Sequence, residues 1–165
     1  MKKLLVLLAI TAGGCASMPT SYGPMGTRGG YQEIRRAPDE FRVMFGGNAY
    51  TPGARVSDYA LLRAAELTLQ AGYTHFEVIK SDDISRKQTF LVAGKSFSDA
   101  TAFRNGNTVQ AYGSTTTMPA HEATEYYPGR ALTIKLAREA DGDKRFNAAE
   151  LADELRAKHH LPKRR

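Results

Sequence analysis

The chain has 165 residues, a formal charge of +6 and a single cysteine. That length accommodates one domain with a sizeable apolar core, and a lone thiol excludes an intrachain disulfide, so the fold must rest on packing alone. The modest basic excess suits contact with acidic envelope polymers or lipid head groups and decides nothing about fold.

The first fifteen residues read as an address. Lys2 and Lys3 lead an apolar run from Leu4 to Ile10, Thr11 to Gly14 are small, and Cys15 follows at once. A membrane-spanning helix needs roughly 20 apolar residues, so this run is too short to be one. The order is that of a secretory signal, expected over residues 1–14. Ala12, Gly13 and Gly14 before Cys15 resemble a bacterial lipobox. The resemblance implies diacylglycerol on the Cys15 sulfur, cleavage before it, and acylation (palmitate) of the new amino group. Several chains anchor stably where one anchors only marginally. The mature chain would keep 151 residues and a charge of +4. Ala16 in place of Asp favours, by the same resemblance, an outer-membrane lipoprotein facing the periplasm over inner-membrane retention.

Residues 15–30 are expected to be the lipidated cysteine and a flexible tether, because Ala16 to Gly30 is rich in Gly, Ser, Pro and Thr with no apolar period. A single domain is expected over 31–165. Glu40 to Phe45 alternates, burying Phe41, Val43 and Phe45, and Gly46-Gly47-Asn48 ends that strand. A helix follows, with Ser57 as N-cap, Asp58 in its first turn and an apolar face of Leu61, Leu62, Ala65, Thr68 and Leu69. Ala64 and Ala65 would let it lie close to a sheet, and Gly72 supplies its left-handed stop. Thr74 to Lys80 and Gln88 to Gly94 read as strands paired in a hairpin, the second more uniformly apolar and so central. Between Lys95 and Arg130 the chain is polar and Thr-rich, with one further strand expected near Val109 to Tyr112 and the least order from Gly113 to Pro128. Ala131 to Ala137 is a strand burying Leu132, Ile134 and Leu136, Asp141-Gly142-Asp143 a turn, and Asn147 with Glu150 a capping box for a helix from Ala148 to Lys158 with Leu151 and Leu155 inward. The sum is an α+β fold: a mostly antiparallel sheet of four to five strands with two helices packed on it.

No catalytic set emerges. His121-Glu122-Ala123-Thr124-Glu125 has Glu where a zinc-protease helix needs its second His, and a solvated loop is the better reading. Counted from Asp141, a calcium loop would have Arg145, Phe146 and Ala152 at its fifth, sixth and twelfth places, where oxygen ligands and Gly are required. Gly26, Gly29, Gly30, Gly46 and Gly47 do not lie between strand and helix at phosphate-loop spacing, and no G-x-S-x-G elbow occurs. No cofactor or metal is expected. The contact candidates are Tyr126 and Tyr127 on a polar loop and the basic end Lys163, Arg164 and Arg165.

The Gly47-Asn48 turn with Tyr50-Thr51, the helix from Leu61 to Leu69, and Gly72-Tyr73 before Phe76 resemble a family of small bacterial outer-membrane lipoproteins of unknown function. The signal peptide, Gly30-Tyr31 and the strand around Leu132 to Lys135 fit the same layout, so the resemblance covers roughly half the mature chain. It implies a lipid-anchored envelope domain and carries over no catalytic residue. The expected role is a non-enzymatic binding, adaptor or structural module, held to the membrane by its N-terminal lipid. Its contacts would be another envelope protein, peptidoglycan or anionic lipid, and not nucleic acid. The alternative is a hydrolase acting on peptidoglycan or lipid through scattered groups such as His75, Glu77 or Glu125.

Overall fold

The computed structural model describes residues 18–139 and 144–163. Cys15, the Asp141-Gly142-Asp143 turn, Arg164 and Arg165 lie outside the described residues. Strands β1 (Gly30–Ala37), β2 (Glu40–Gly46), β3 (His75–Asp83), β8 (Gly129–Ala137) and β9 (Arg145–Asn147) form one antiparallel sheet in the order β1-β2-β8-β3-β9. Helix α1 (Gly53–Gln70) packs on β8 and β2, and α2 (Ala148–Lys158) packs against α1 and β9. The fold is α+β, as the alternation and helical periods predict.

Burial explains the strand order. Five of the nine residues of β8 are buried beyond its first glycine, including Leu132, Ile134 and Leu136, so it takes the centre. Val43 and Phe45 of β2, Phe76 of β3, and Val56, Leu62, Ala64 and Ala65 of α1 complete the core. The two alanines are wholly buried, which lets the helix axis approach the sheet. Gly72, with φ of 78°, stops α1, and Tyr73 N–H donates to the Thr68 carbonyl at 3.0 Å. Asn147 caps α2 by accepting from the Ala149 and Glu150 N–H groups.

Four expectations are corrected. Helix α1 begins at Gly53 with Pro52 as an uncapped start, so Ser57 lies inside it, and Asp58 reaches out to α2. The segment before Tyr31 is part of the domain from Thr20 onward. Thr20 is buried, its N–H donating to Thr51 Oγ1 at 2.8 Å, and the Tyr22 ring stacks on Phe45 and meets Tyr59 edge-on. A run of small residues is compatible with close packing as well as with disorder, and one tyrosine here anchors it. β3 does not pair with the next strand but with β8, because its edge is buried against the most apolar strand of the sheet. That next strand, β4 (Arg86–Val92), is not central: it pairs with β7 (His121–Tyr127) alone and is mostly exposed.

Candidate functional site

Beyond the main sheet the chain builds a long two-stranded arm. β4 pairs with β7 at its foot, and β5 (Lys95–Asn105) pairs with β6 (Thr108–Met118) at its far end. Gly113 to Pro128, expected to be the least regular stretch, is therefore almost entirely strand, and the strand expected near Val109 to Tyr112 is the first half of β6. Thr-rich, β-branched sequence favours the extended backbone. The turn between β5 and β6 holds two residues, Gly106 and Asn107, and Gly106 has φ of 60° at the first position, where a II′ hairpin requires glycine.

Register sorts the far end into two unlike faces. Phe97, Thr101 and Phe103 of β5 share one face with Met118, Thr116, Tyr112 and Gln110 of β6. The opposite face carries Ser96, Ser98, Ala100 and Ala102 across from Thr117, Thr115, Gly113 and Ala111, with Arg104 across from Val109 at the turn end. Hydroxyls pair across that second face, Ser98 with Thr115 at 3.0 Å and Ser96 with Thr117 at 3.3 Å. On the first face Phe97 is 56% exposed, Phe103 62%, Tyr112 64% and Met118 60%. Every residue of β5 and β6 is exposed. Large apolar side chains clustered on one exposed face mark an interaction surface.

The foot of the arm is held firmly. Ser85 Oγ accepts from Gly129 N–H at 3.0 Å, and Ile84 N–H donates to the Gly129 carbonyl at 3.1 Å. Hydrogen bonds from Ser85 also hold the Asp83 carboxyl below its ordinary pKa. Gly129 has no room for a side chain, since a Cβ there would lie 2.9 Å from the Ile84 carbonyl oxygen. Tyr126 and Tyr127 sit here, in strand rather than loop. Tyr127 donates to Glu125, which raises its phenol pKa, and the Arg86 guanidinium lies 5.5 Å from its ring centre. A cleft of about 380 Å³ opens beside it, between Met25, Arg28, Met44, Asn48, Ile84 and Arg86.

Lys163 is exposed after α2, and among the described residues no hydrogen bond or ion pair joins it to the two tyrosines. His75 and Glu77 stand on one face of β3, whereas Glu125 lies on β7 of the arm, and none of the three lines that cleft. His121 to Glu125 is strand, so His121, Ala123 and Glu125 share one face and Glu122 and Thr124 the other. Among the described residues no group of three or more His, Cys, Asp or Glu side chains could hold a metal ion.

A buried charge network is the other polar feature, and the sequence pattern does not reveal it. Arg63 pairs with Glu33 at 2.8 Å and with Glu66 at 3.3 Å, and Arg156 of α2 also pairs with Glu66. Tyr22 donates to Glu66 at 2.6 Å, and burial, reinforced by that bond, pushes its phenol far above the ordinary range. Such a phenol stays protonated, which suits a strut rather than a nucleophile. Two cations and two carboxylates compensate one another here, so the network ties the N-terminal segment, β1, α1 and α2 together. The Gly47-Asn48-Tyr50-Thr51 motif has a similar duty. Asn48 Oδ1 accepts from Thr51 Oγ1 at 2.7 Å and from Tyr50 N–H at 3.1 Å, and the turn so formed receives Thr20.

No model of a known protein family matches the chain, and no curated protein matches it.

Proposed function

We propose that this chain is a lipid-anchored envelope protein, acting as a non-enzymatic binding or adaptor module at the outer membrane, with the arm as its binding element. The observation that carries the reading is the far end of the arm, where Phe97, Phe103, Tyr112 and Met118 share one solvent-facing side. Exposed aromatics make contacts at low entropic cost, since their side chains have few rotatable bonds. The anchor is argued from residues 1–15, and the resemblance of the turn and helix motifs to small envelope lipoproteins supports the same placement. The domain would be held near the periplasmic face of the membrane, its arm free to meet a partner.

Two measurements test this. Cys15→Ala should abolish lipid incorporation and leave residues 1–14 uncleaved; maturation and lipid-dependent membrane retention like wild type would refute the anchor. A photo-crosslinking residue at Tyr112 should capture a reproducible protein product in cells. Absence of any product there, with products from unrelated surface positions, would refute the arm as binding element.

A further inference from the structure

We infer that the arm binds a second copy of this chain, edge to edge through β5, and this rests on the reading of the arm as the binding element. On the side away from β6, β5 has no partner strand among the described residues. Its backbone groups there are unpaired over eleven residues, and such an edge is a template for another strand. A two-stranded ribbon is marginal in water, whereas four strands sharing an apolar face are not. Joining two arms supplies the missing strands.

The residues of β5 say which strand. Read outward from Ala100, the large ring of Phe97 is matched by Phe103 and the small Ser98 by Ala102, while Asp99 faces Thr101, Ser96 faces Arg104 and Lys95 faces Asn105. A two-fold axis through Ala100, perpendicular to the ribbon, makes an antiparallel self-pair in which each contact occurs twice. Phe97 of one copy then stands directly opposite Phe103 of the other, on the face that also holds Tyr112 and Met118. On the second face Ala100 opposes itself and Ser98 opposes Ala102, with Ser96 opposite Arg104 at the ends, and no two like charges stand opposite one another. The same operation on β6, about Gly113, sets Tyr112 against Ser114 and Val109 against Thr117, with no large apolar pair. The β5 edge is therefore the self-complementary one.

Size fixes the strength. An edge of eleven residues runs about 36 Å, and with side chains about 10 Å deep it closes on the order of 400 Å² on each copy. A standard interface buries about 800 Å² per partner, so this is a weak, reversible association. Anchoring both copies to one surface raises their effective concentration and favours it.

The test is cysteine cross-linking of the full-length chain in membranes with a short thiol-specific reagent. Ala100→Cys should give a product of twice the chain mass, and Ala111→Cys on β6 should not. Adding Phe97→Asp and Phe103→Asp to Ala100→Cys should cut that product at least tenfold while leaving the melting temperature unchanged, because both side chains are exposed in the single chain. A dimer from Ala111→Cys alone, or none from Ala100→Cys, overturns the self-pairing. If Ala100→Cys fails while the Tyr112 probe captures another protein, the self-pairing falls and the binding arm stands; if neither gives a product, both fall. Cross-linking of the chain whose only cysteine is Cys15 would show that thiol to be free, which refutes the anchor without touching the arm.

Discussion

The domain body and the arm are made from similar strands yet held by opposite means. In the body, Val43, Phe45, Leu62, Phe76 and Ile134 are fully buried, and the sheet is covered by α1. In β5 and β6 no residue is buried, and the ladder is supported by cross-strand hydroxyl pairs and a tight turn. The body buries a core of large apolar side chains, whereas β5 and β6 bury none and present four of them to solvent on one side. If the arm is the binding element proposed above, stability and recognition fall to different stretches of chain, and substitutions should separate them.

The largest effect belongs to the body. Phe45→Ala removes a ring that packs on Tyr59 at 5.1 Å and stacks on Tyr22, and should cost about 3–5 kcal/mol in denaturant unfolding. A smaller effect is expected where α1 meets α2. Lys158 and His159 each reach Asp58 at 2.8 Å. Burial alone would raise the Asp58 pKa, but those two hydrogen bonds outweigh it and hold it below its ordinary value of 3.8. The unfolded chain therefore binds this proton more readily, and the ion cluster stabilises fully above pH 3.8 and fades as pH falls through the lowered pKa. Asp58→Asn should cost about 1 kcal/mol at neutral pH and flatten the acid limb of the stability curve. The smallest effect belongs to the arm. Phe97→Asp with Phe103→Asp should change the stability of the single chain by less than about 0.5 kcal/mol, measured by thermal unfolding at dilution. A loss there as large as that of Phe45→Ala would erase the contrast between the two regions.

Much of the body is legible before any coordinates. The alternation of Phe41, Val43 and Phe45, the three- and four-residue apolar steps of α1, the stop at Gly72 and the Asn147 cap are local patterns, and local backbone chemistry enforces them. The arm is harder to read. Its strands carry few apolar residues and their alternation is one-sided only after register pairs Phe97 with Thr116 and Tyr112 with Thr101. A signal was nevertheless present: two polar runs of equal length, the second Thr-rich, flank a two-residue Gly106-Asn107 turn, which is a hairpin pattern. Tyr22 and Glu66 lie 44 residues apart and Arg156 and Glu66 90 apart, so nothing local marks their meeting.

Residue order alone was enough for the class of fold, both helices and the apolar strand from Ala131 to Ala137, because each depends on neighbours within a turn or a few residues, but it pointed to the wrong strand for the centre of the sheet. Strand partners, the docking of Thr20 to Gly30, the buried ion network and the one-sided apolar face of the arm were decided only when distant segments met. Pairing and burial are properties of which surfaces close on each other, and a linear pattern specifies a surface without specifying what covers it.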